Sequence, residues 1–188
     1  LVGAFVAVLA VSPPFDAAAD SSLVTHMVQH LLLVTVAAPL LGFGLPWAPG
    51  RRRWGAWALG AVMLSSAALW GWHAPSPFDA AVQHVPLHVL EHLSFVGTAT
   101  LLWSVAWGPG RRGRAGVGVL LVFAATVPAT GLGAALTLSG RPWYSAYPSL
   151  ADQRVAGALM WAAGSMPVLL AAALLFAWWL SSAEAAAA

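Results

Sequence analysis

The chain of 188 residues is 60% hydrophobic and 7% charged, with a mean hydropathy of +0.80, and so lacks the polar side chains needed to cover a water-soluble globule. Its net charge of +2 rests on eight basic residues, all Arg and mostly in two short clusters, so no basic stripe is available to track a nucleic acid. The absence of Cys excludes disulfides, thiolate metal sites and iron–sulfur clusters, leaving imidazole, carboxylate and thioether as candidate metal ligands.

Apolar stretches of roughly 20 residues recur between short segments rich in Pro, Gly, Ser or Arg. This pattern predicts an all-α integral membrane protein, a single polytopic bundle domain over 1–188 with about six transmembrane helices. The first apolar run, 1–11, is too short to cross about 30 Å of hydrocarbon at about 1.5 Å per residue. It reads as the tail of a truncated helix, without the charged flank and cleavage site of a signal peptide. A turn at Pro13-Pro14-Phe15-Asp16 leads to a second span over 23–45, closed by Pro46 and Arg51-Arg52-Arg53. The third span covers 54–72, and a loop with Pro75, Pro77 and Pro86 follows. The fourth covers 87–107 and ends before Arg111, Arg112 and Arg114; the fifth covers 116–138. A Pro-rich aromatic loop from Arg141 through Pro148 precedes a last span over 155–180.

Basic residues of short loops stay on the cytoplasmic side, and the two Arg clusters fall in alternate loops, hence on one side. The segments around Asp16, 74–85 and 140–151 then face outward. Trp54, Trp72, Trp103, Trp107, Trp178 and Trp179, near span ends, fit aromatic belts. Pro39, Pro128 and Pro167 fall inside spans and read as kinks, each removing one backbone donor. Gly131-Leu132-Gly133 and Ala156-Gly157-Ala158 read as close-packing positions.

The distribution of the six His is the main chemical signal. His26 and His30 open the second span at a spacing of four, so both imidazoles share a helix face. His73 closes the third span; His88 and His92 repeat the spacing of four on the fourth, with His84 before them in the loop. Three segments thus converge at one depth. Ionisable groups within hydrocarbon cost several kcal/mol unless they face the bundle interior and find partners, which makes His30, His92 and Glu91 functional candidates. The plain alternative, His hydrogen-bonded to carbonyls and headgroup water, fits His84 best.

Met27, Met160 and Met166 fall in the same half, where thioethers beside imidazoles suit copper, although Met in an apolar bundle usually serves packing. Glu91 adjoins His92, and the 100° between helix neighbours predicts that it points away from His88 and His92, as an acceptor for a His of another helix, as a proton-handling group, or as a helix N-terminal carboxylate satisfying first-turn amides. Asp79 adds a carboxylate on this side, and Asp152 is expected to cap its own helix. No Ser-His-Asp set, phosphate-binding loop or zinc-protease motif is present, which predicts a non-enzyme.

These residues carry a family likeness. The run His26-Met27-Val28-Gln29-His30 through Ala38-Pro39-Leu40-Leu41 resembles the caa3-type CtaG family of cytochrome c oxidase assembly factors. So do Trp72-His73-Ala74-Pro75, Phe78-Asp79-Ala80-Ala81, His88-Val89-Leu90-Glu91-His92, Tyr144 with Tyr147, Asp152-Gln153, and Ala156-Gly157-Ala158-Leu159-Met160-Trp161. The likeness extends from Ser22 to Phe176 and implies a multi-pass protein of the bacterial plasma membrane that helps mature a haem-copper oxidase by supplying copper to its copper centre. Its landmarks map onto His26, Gln29, His30, His73, His88, Glu91, His92, Asp152, Gln153 and Met160, and it implies further sequence ahead of Leu1.

The reading that results is a copper site near the outer face, with His26, His30, His73, His88 and His92 as ligands and Gln29, Glu91, Asp152 and Met160 as accessory groups. Neutral imidazoles bind copper transiently and exchange it to a docked oxidase subunit, and acid weakens the site as His protonates near its ordinary pKa of about 6.5. The competing readings are a membrane cytochrome with one haem b between facing His, a copper or proton-coupled transporter, and a metal-free docking scaffold. A transporter needs a polar path through the inner half, where only Ser65, Ser66, Thr126, Thr130 and Ser165 offer one.

Overall fold

Proline placement decides how the apolar stretches break into helices. In the computed structural model, which describes residues 1–45, 51–110, 115–163 and 165–187, every regular element is helical. The first half of the chain forms α1 (Val2–Ala10), α2 (Pro13–Ala19), α3 (Leu23–Leu31), a π-helical segment (Leu32–Ala37) and α4 (Ala38–Gly44). The second half forms α5 (Arg51–Trp72), α6 (Pro75–Gln83), α7 (Val85–Gly110), α8 (Ala115–Leu138), α9 (Leu150–Ala158), a second π-helical segment (Leu159–Ala163) and α10 (Ser165–Ala187).

Two segments expected as turn or loop are helices instead. Pro13-Pro14-Phe15-Asp16 opens α2, and Pro75 with Pro77 opens α6. Proline is harmless in a first helical turn, where the missing N–H has no intrahelical partner to lose. His84 does lie between helices, with extended backbone, and it is exposed. Pro39 sits at the start of α4 directly after the first π-helical segment, so the helix absorbs it by widening a turn rather than by a sharp break.

Among the described residues three helical stretches are long and apolar enough to cross a membrane: Leu23–Gly44, Val85–Gly108 and Gly116–Leu138. α1 and α2, bent by 49° at their junction, qualify as a fourth if taken together. α5 has the length, at 22 residues, but falls outside this set, because Arg, Gly, Ser and Trp dilute its hydropathy. Val168–Ser181 is apolar but shorter. Arg111, Arg112, Arg114 and Pro46 lie outside the described residues, as do the side chains of Arg51, Arg52 and Pro167.

Several tryptophans expected at the lipid interface are interhelical ties. Trp103 and Trp107 are buried in an apolar cluster with Ala61, Ala106, Leu121 and Leu175. Trp107 Nε1 donates to Pro39 O (3.1 Å), Trp54 Nε1 to Val105 O (3.2 Å), and Trp70 Nε1 to Pro128 O (3.1 Å). An indole N–H in an apolar bundle needs an acceptor, and these carbonyls supply it. Trp178 and Trp179 are exposed, as a belt requires. α8 and α9 cross on glycine: a Cβ on Gly157 would lie 2.7 Å from Gly133 O, and one on Gly133 would lie 2.9 Å from Gly157 O. Only glycine permits that approach, which sets α9, and the loop before it, against the top of α8.

Candidate metal centre

Five of the six His meet in one cluster at the end of the bundle where α3 starts and α5 ends. His26 and His30 come from α3, His73 from the residue after α5, and His88 and His92 from α7. Ring centroids lie 4.4 Å apart for His26 and His30, 5.3 Å for His26 and His88, 4.2 Å for His88 and His92, 5.2 Å for His30 and His92, and 5.7 Å for His30 and His73. His84, as an exposed residue, stays outside. The spacing of four along α3 and α7 puts each pair on one face, and packing turns the two faces toward each other.

Ligand atoms of His26, His30, His88 and Glu91 lie within 4.8 Å of one another. The expectation that Glu91 points away from His88 is therefore corrected, while its approach to a His of another helix, His30, is as expected. It is 100° from His92 but three residues from His88, only about 60° around the helix, and that smaller angle decides where its carboxylate goes. Glu91 is fully buried, with its Oε1 3.8 Å from His30 Nε2. Its backbone carbonyl accepts from Ser94 Oγ (2.7 Å), which itself accepts from Trp72 Nε1 (2.7 Å), so α5 and α7 are clamped beside the cluster.

Buried polar atoms ordinarily find hydrogen-bond partners, yet here a group of them does not. Nε2 of His26, His30, His73, His88 and His92, Nδ1 of His30 and both carboxylate oxygens of Glu91 are buried and unpartnered. Two of these nitrogens have their protonation fixed from behind. His73 Nδ1 lies 2.8 Å from Leu69 O, an obligate acceptor, so Nδ1 carries the proton and Nε2 presents a lone pair. Tyr147 donates its hydroxyl proton to Ala19 O (2.8 Å), so at 3.3 Å from His26 Nδ1 it can only accept, and His26 Nε2 is likewise a bare lone pair. Burial raises the Tyr147 phenol pKa above its ordinary range, with nearby carboxylates adding to the effect, so the hydroxyl keeps its proton. Bare imidazole nitrogens and a carboxylate converging without partners fit a bound cation.

A cover closes the cluster. Tyr144 stacks on Phe78 (3.9 Å) and donates to His73 O (3.0 Å), while Phe78 lies 5.1 Å from His26. Asp79 holds the covering loop by accepting from Ser145 N (3.0 Å), Ser145 Oγ (2.8 Å) and Ala146 N (3.0 Å). Burial pushes the Asp79 carboxyl pKa up, but these three hydrogen bonds outweigh it and hold the group below its usual value. A depressed carboxyl contributes stability that is complete above its unfolded value, about 3.9, and is lost as pH falls through the folded value. Limited proteolysis of the 139–149 loop is expected to stay flat down to about pH 4 and rise below it, and to be raised at neutral pH in Asp79→Asn.

The accessory residues divide. Asp152 does not cap its own helix, whose start is capped by Ser149 Oγ accepting from Asp152 N (3.2 Å). Instead its carboxylate crosses to the start of α3, accepting from Leu23 N (2.7 Å) and Ser22 Oγ (3.2 Å), and so anchors the helix that carries His26 and His30. Removing a charged cap of this kind costs about 1–2 kcal/mol, so Asp152→Ala is expected to lower the thermal midpoint in detergent by several degrees. Gln29 points away from the cluster and donates to Ala10 O (3.0 Å) and Asp16 Oδ1 (3.1 Å), tying α1 and α2 to α3. Gln153 Oε1 accepts from Trp143 N (2.6 Å) and shapes the cover. Met160 is buried beside Met27, while Met166 is exposed. Tyr147 and Phe78, which carry the family likeness but no role at the site in the sequence reading, form part of it beside His26.

Below the cluster, a cavity of about 120 Å³ begins at His30 and His73 and is walled by α3, α5, α7, α8 and α10. The scattered hydroxyls of Ser65, Ser66, Thr126, Thr130 and Ser165 all line it. Trp103 and Val122 line it too and belong to the buried apolar cluster that fills the bundle beyond, so no polar path continues there among the described residues.

The model of the family described as cytochrome c oxidase caa3 assembly factor (Caa3_CtaG) matches residues 1–182, which takes in α1 and α2 as well as the stretch from Ser22 to Phe176. Neither the curated proteins nor the solved structures give a match. With the match running over nearly its whole length, the chain belongs to the family of cytochrome c oxidase caa3 assembly factors.

Proposed function

We propose that this protein binds copper as cargo in the His26, His30, His88 and Glu91 cluster and passes it to a subunit of the haem-copper oxidase during assembly, without catalysing a reaction. The observation that carries this reading is the convergence within 4.8 Å of four ligand groups whose facing atoms have no hydrogen-bond partner. Imidazole and carboxylate suit Cu(II) ahead of Zn(II) by the Irving–Williams order. His73 and His92, in ring contact with the four, supply imidazoles for ligand exchange. Half-buried His88 on α7 and exposed His84 just before it lie on the side from which, in this reading, a partner reaches the cargo. In the proposed arrangement about six segments cross the bacterial plasma membrane, with the Arg clusters cytoplasmic and the His end outward.

Across α3 and α7, ring centroids lie 5.3 Å apart for His26 and His88 and 5.2 Å for His30 and His92, which leaves no slot for a porphyrin between facing imidazoles. Metal analysis with an absorption spectrum on the detergent-purified protein, beside a His88→Ala and His92→Ala variant, tests the proposal. About one copper per chain, lost in the variant and without a Soret band, supports it. A Soret band makes the protein a cytochrome, and no copper after loading leaves a docking scaffold.

A further inference from the structure

The cavity beneath the cluster has donors of its own. His30 and His73 line it together with Met27 and Met160. Met27 is fully buried and Met160 nearly so, and both sit in one apolar cluster with Phe78 and Tyr144. The other two methionines, Met63 and Met166, are exposed on the lipid side of their helices. The His73 tautomer is fixed by Leu69 O, so this lining residue carries a bare Nε2 lone pair, buried and unpartnered. Met rarely needs a reason to be in an apolar core, and packing alone would account for either residue. Packing does not account for an unpartnered imidazole lone pair on a residue lining the same cavity.

The donor set differs in kind from that of the neighbouring cluster. Two thioethers and an imidazole carry no charge, and among the described residues no carboxylate lines the cavity. Thioethers select Cu(I), which accepts low coordination numbers, whereas Glu91 belongs to the set that suits Cu(II). We propose that Met27, Met160 and His73 form a second, softer site, specific for Cu(I), with His30 standing between it and the Glu91 cluster. The inference rests on the copper reading above and deepens it: the protein separates copper by oxidation state, holding the reduced ion on the cavity side and the oxidised ion on the carboxylate side. No electron transfer between the two is implied.

The test loads purified protein anaerobically with Cu(I), and separately with Cu(II), and reads the copper X-ray absorption edge, the copper content and the Cu(II) paramagnetic signal. The wild type is compared with Met27→Leu plus Met160→Leu, a substitution close in volume, and with selenomethionine-labelled wild type. A sulfur shell around Cu(I), replaced by selenium in the labelled protein, is expected. In the Leu variant that shell disappears and Cu(I) affinity falls at least tenfold, while the Cu(II) signal is unchanged. Cu(I) bound only by nitrogen and oxygen, or a selenium-free shell in labelled protein, overturns the second site and leaves the first standing. The labelled wild type makes that distinction even if the Leu variant fails to fold. Failure to bind copper in either oxidation state overturns both readings, and a sulfur shell without Cu(II) binding upholds the second site and overturns the first.

Discussion

Glu91→Leu is expected to make the metal-free protein more stable, by about 1–3 kcal/mol, while removing most of the stabilisation that copper adds. Glu91 is fully buried, and neither of its oxygens has a hydrogen-bond partner. A polar group taken out of water without a partner costs about that amount, and a leucine of similar volume carries no such cost. Copper reverses the balance in the wild type, because a ligand present at about 100 times its Kd stabilises by about 2.7 kcal/mol. If loss of the carboxylate weakens binding about 100-fold, the same copper concentration adds only about 0.4 kcal/mol. Thermal unfolding in detergent, with and without copper, reads both halves. A variant less stable than the wild type without metal would show that the carboxylate has a structural task, and undiminished copper stabilisation would remove Glu91 from the ligand set.

Tyr147→Phe is expected to weaken copper binding about 10–100-fold while costing only about 1 kcal/mol of stability. The phenol holds the His26 ring from behind by accepting from Nδ1 at 3.3 Å and is itself anchored on Ala19 O. Without it the imidazole is free to turn or to take the other tautomer, and its Nε2 lone pair is no longer fixed toward the cluster. Tyr144→Phe is the control. That hydroxyl donates to the backbone carbonyl of His73 and holds no imidazole nitrogen, so its loss is expected to lower stability without a matching loss of affinity. Copper titration beside thermal unfolding separates the two outcomes; parallel changes in both variants would mean that the tyrosines act only as a lid.

Local spacing makes much of the site legible. Residues four apart on a helix share a face whatever surrounds the helix, so His26 with His30 and His88 with His92 follow from sequence alone. The same angular logic misleads at Glu91 when only its neighbour His92 is considered, because the smaller angle to His88 is the one that aims the carboxylate. Asp152 escapes sequence reading for a different reason. A carboxylate in a first helical turn is ordinarily a local cap, and nothing nearby in sequence reveals that Ser149 already fills that place, freeing Asp152 to reach Leu23. The hydroxyls of Ser65, Ser66, Thr126, Thr130 and Ser165 look scattered because they come from α5, α8 and α10, and only packing brings them to one cavity.

The sequence by itself determined that the chain is helical and solvated by lipid, because 7% charged residues cannot clothe a globule in water. It also determined the helix faces that carry the His pairs and the end of the bundle where they lie, since both follow from the fixed geometry of a helix and the punctuation by Pro, Gly and Arg. Tertiary structure alone decided which face meets which: Tyr147 behind His26, Leu69 O behind His73, Asp152 at the start of α3, and Met27 with Met160 rather than Met166 beside the cluster. Those contacts join residues up to 130 positions apart. They depend on close crossings such as Gly133 against Gly157, and on the requirement that buried polar groups find partners, neither of which is written in the local pattern of any one helix.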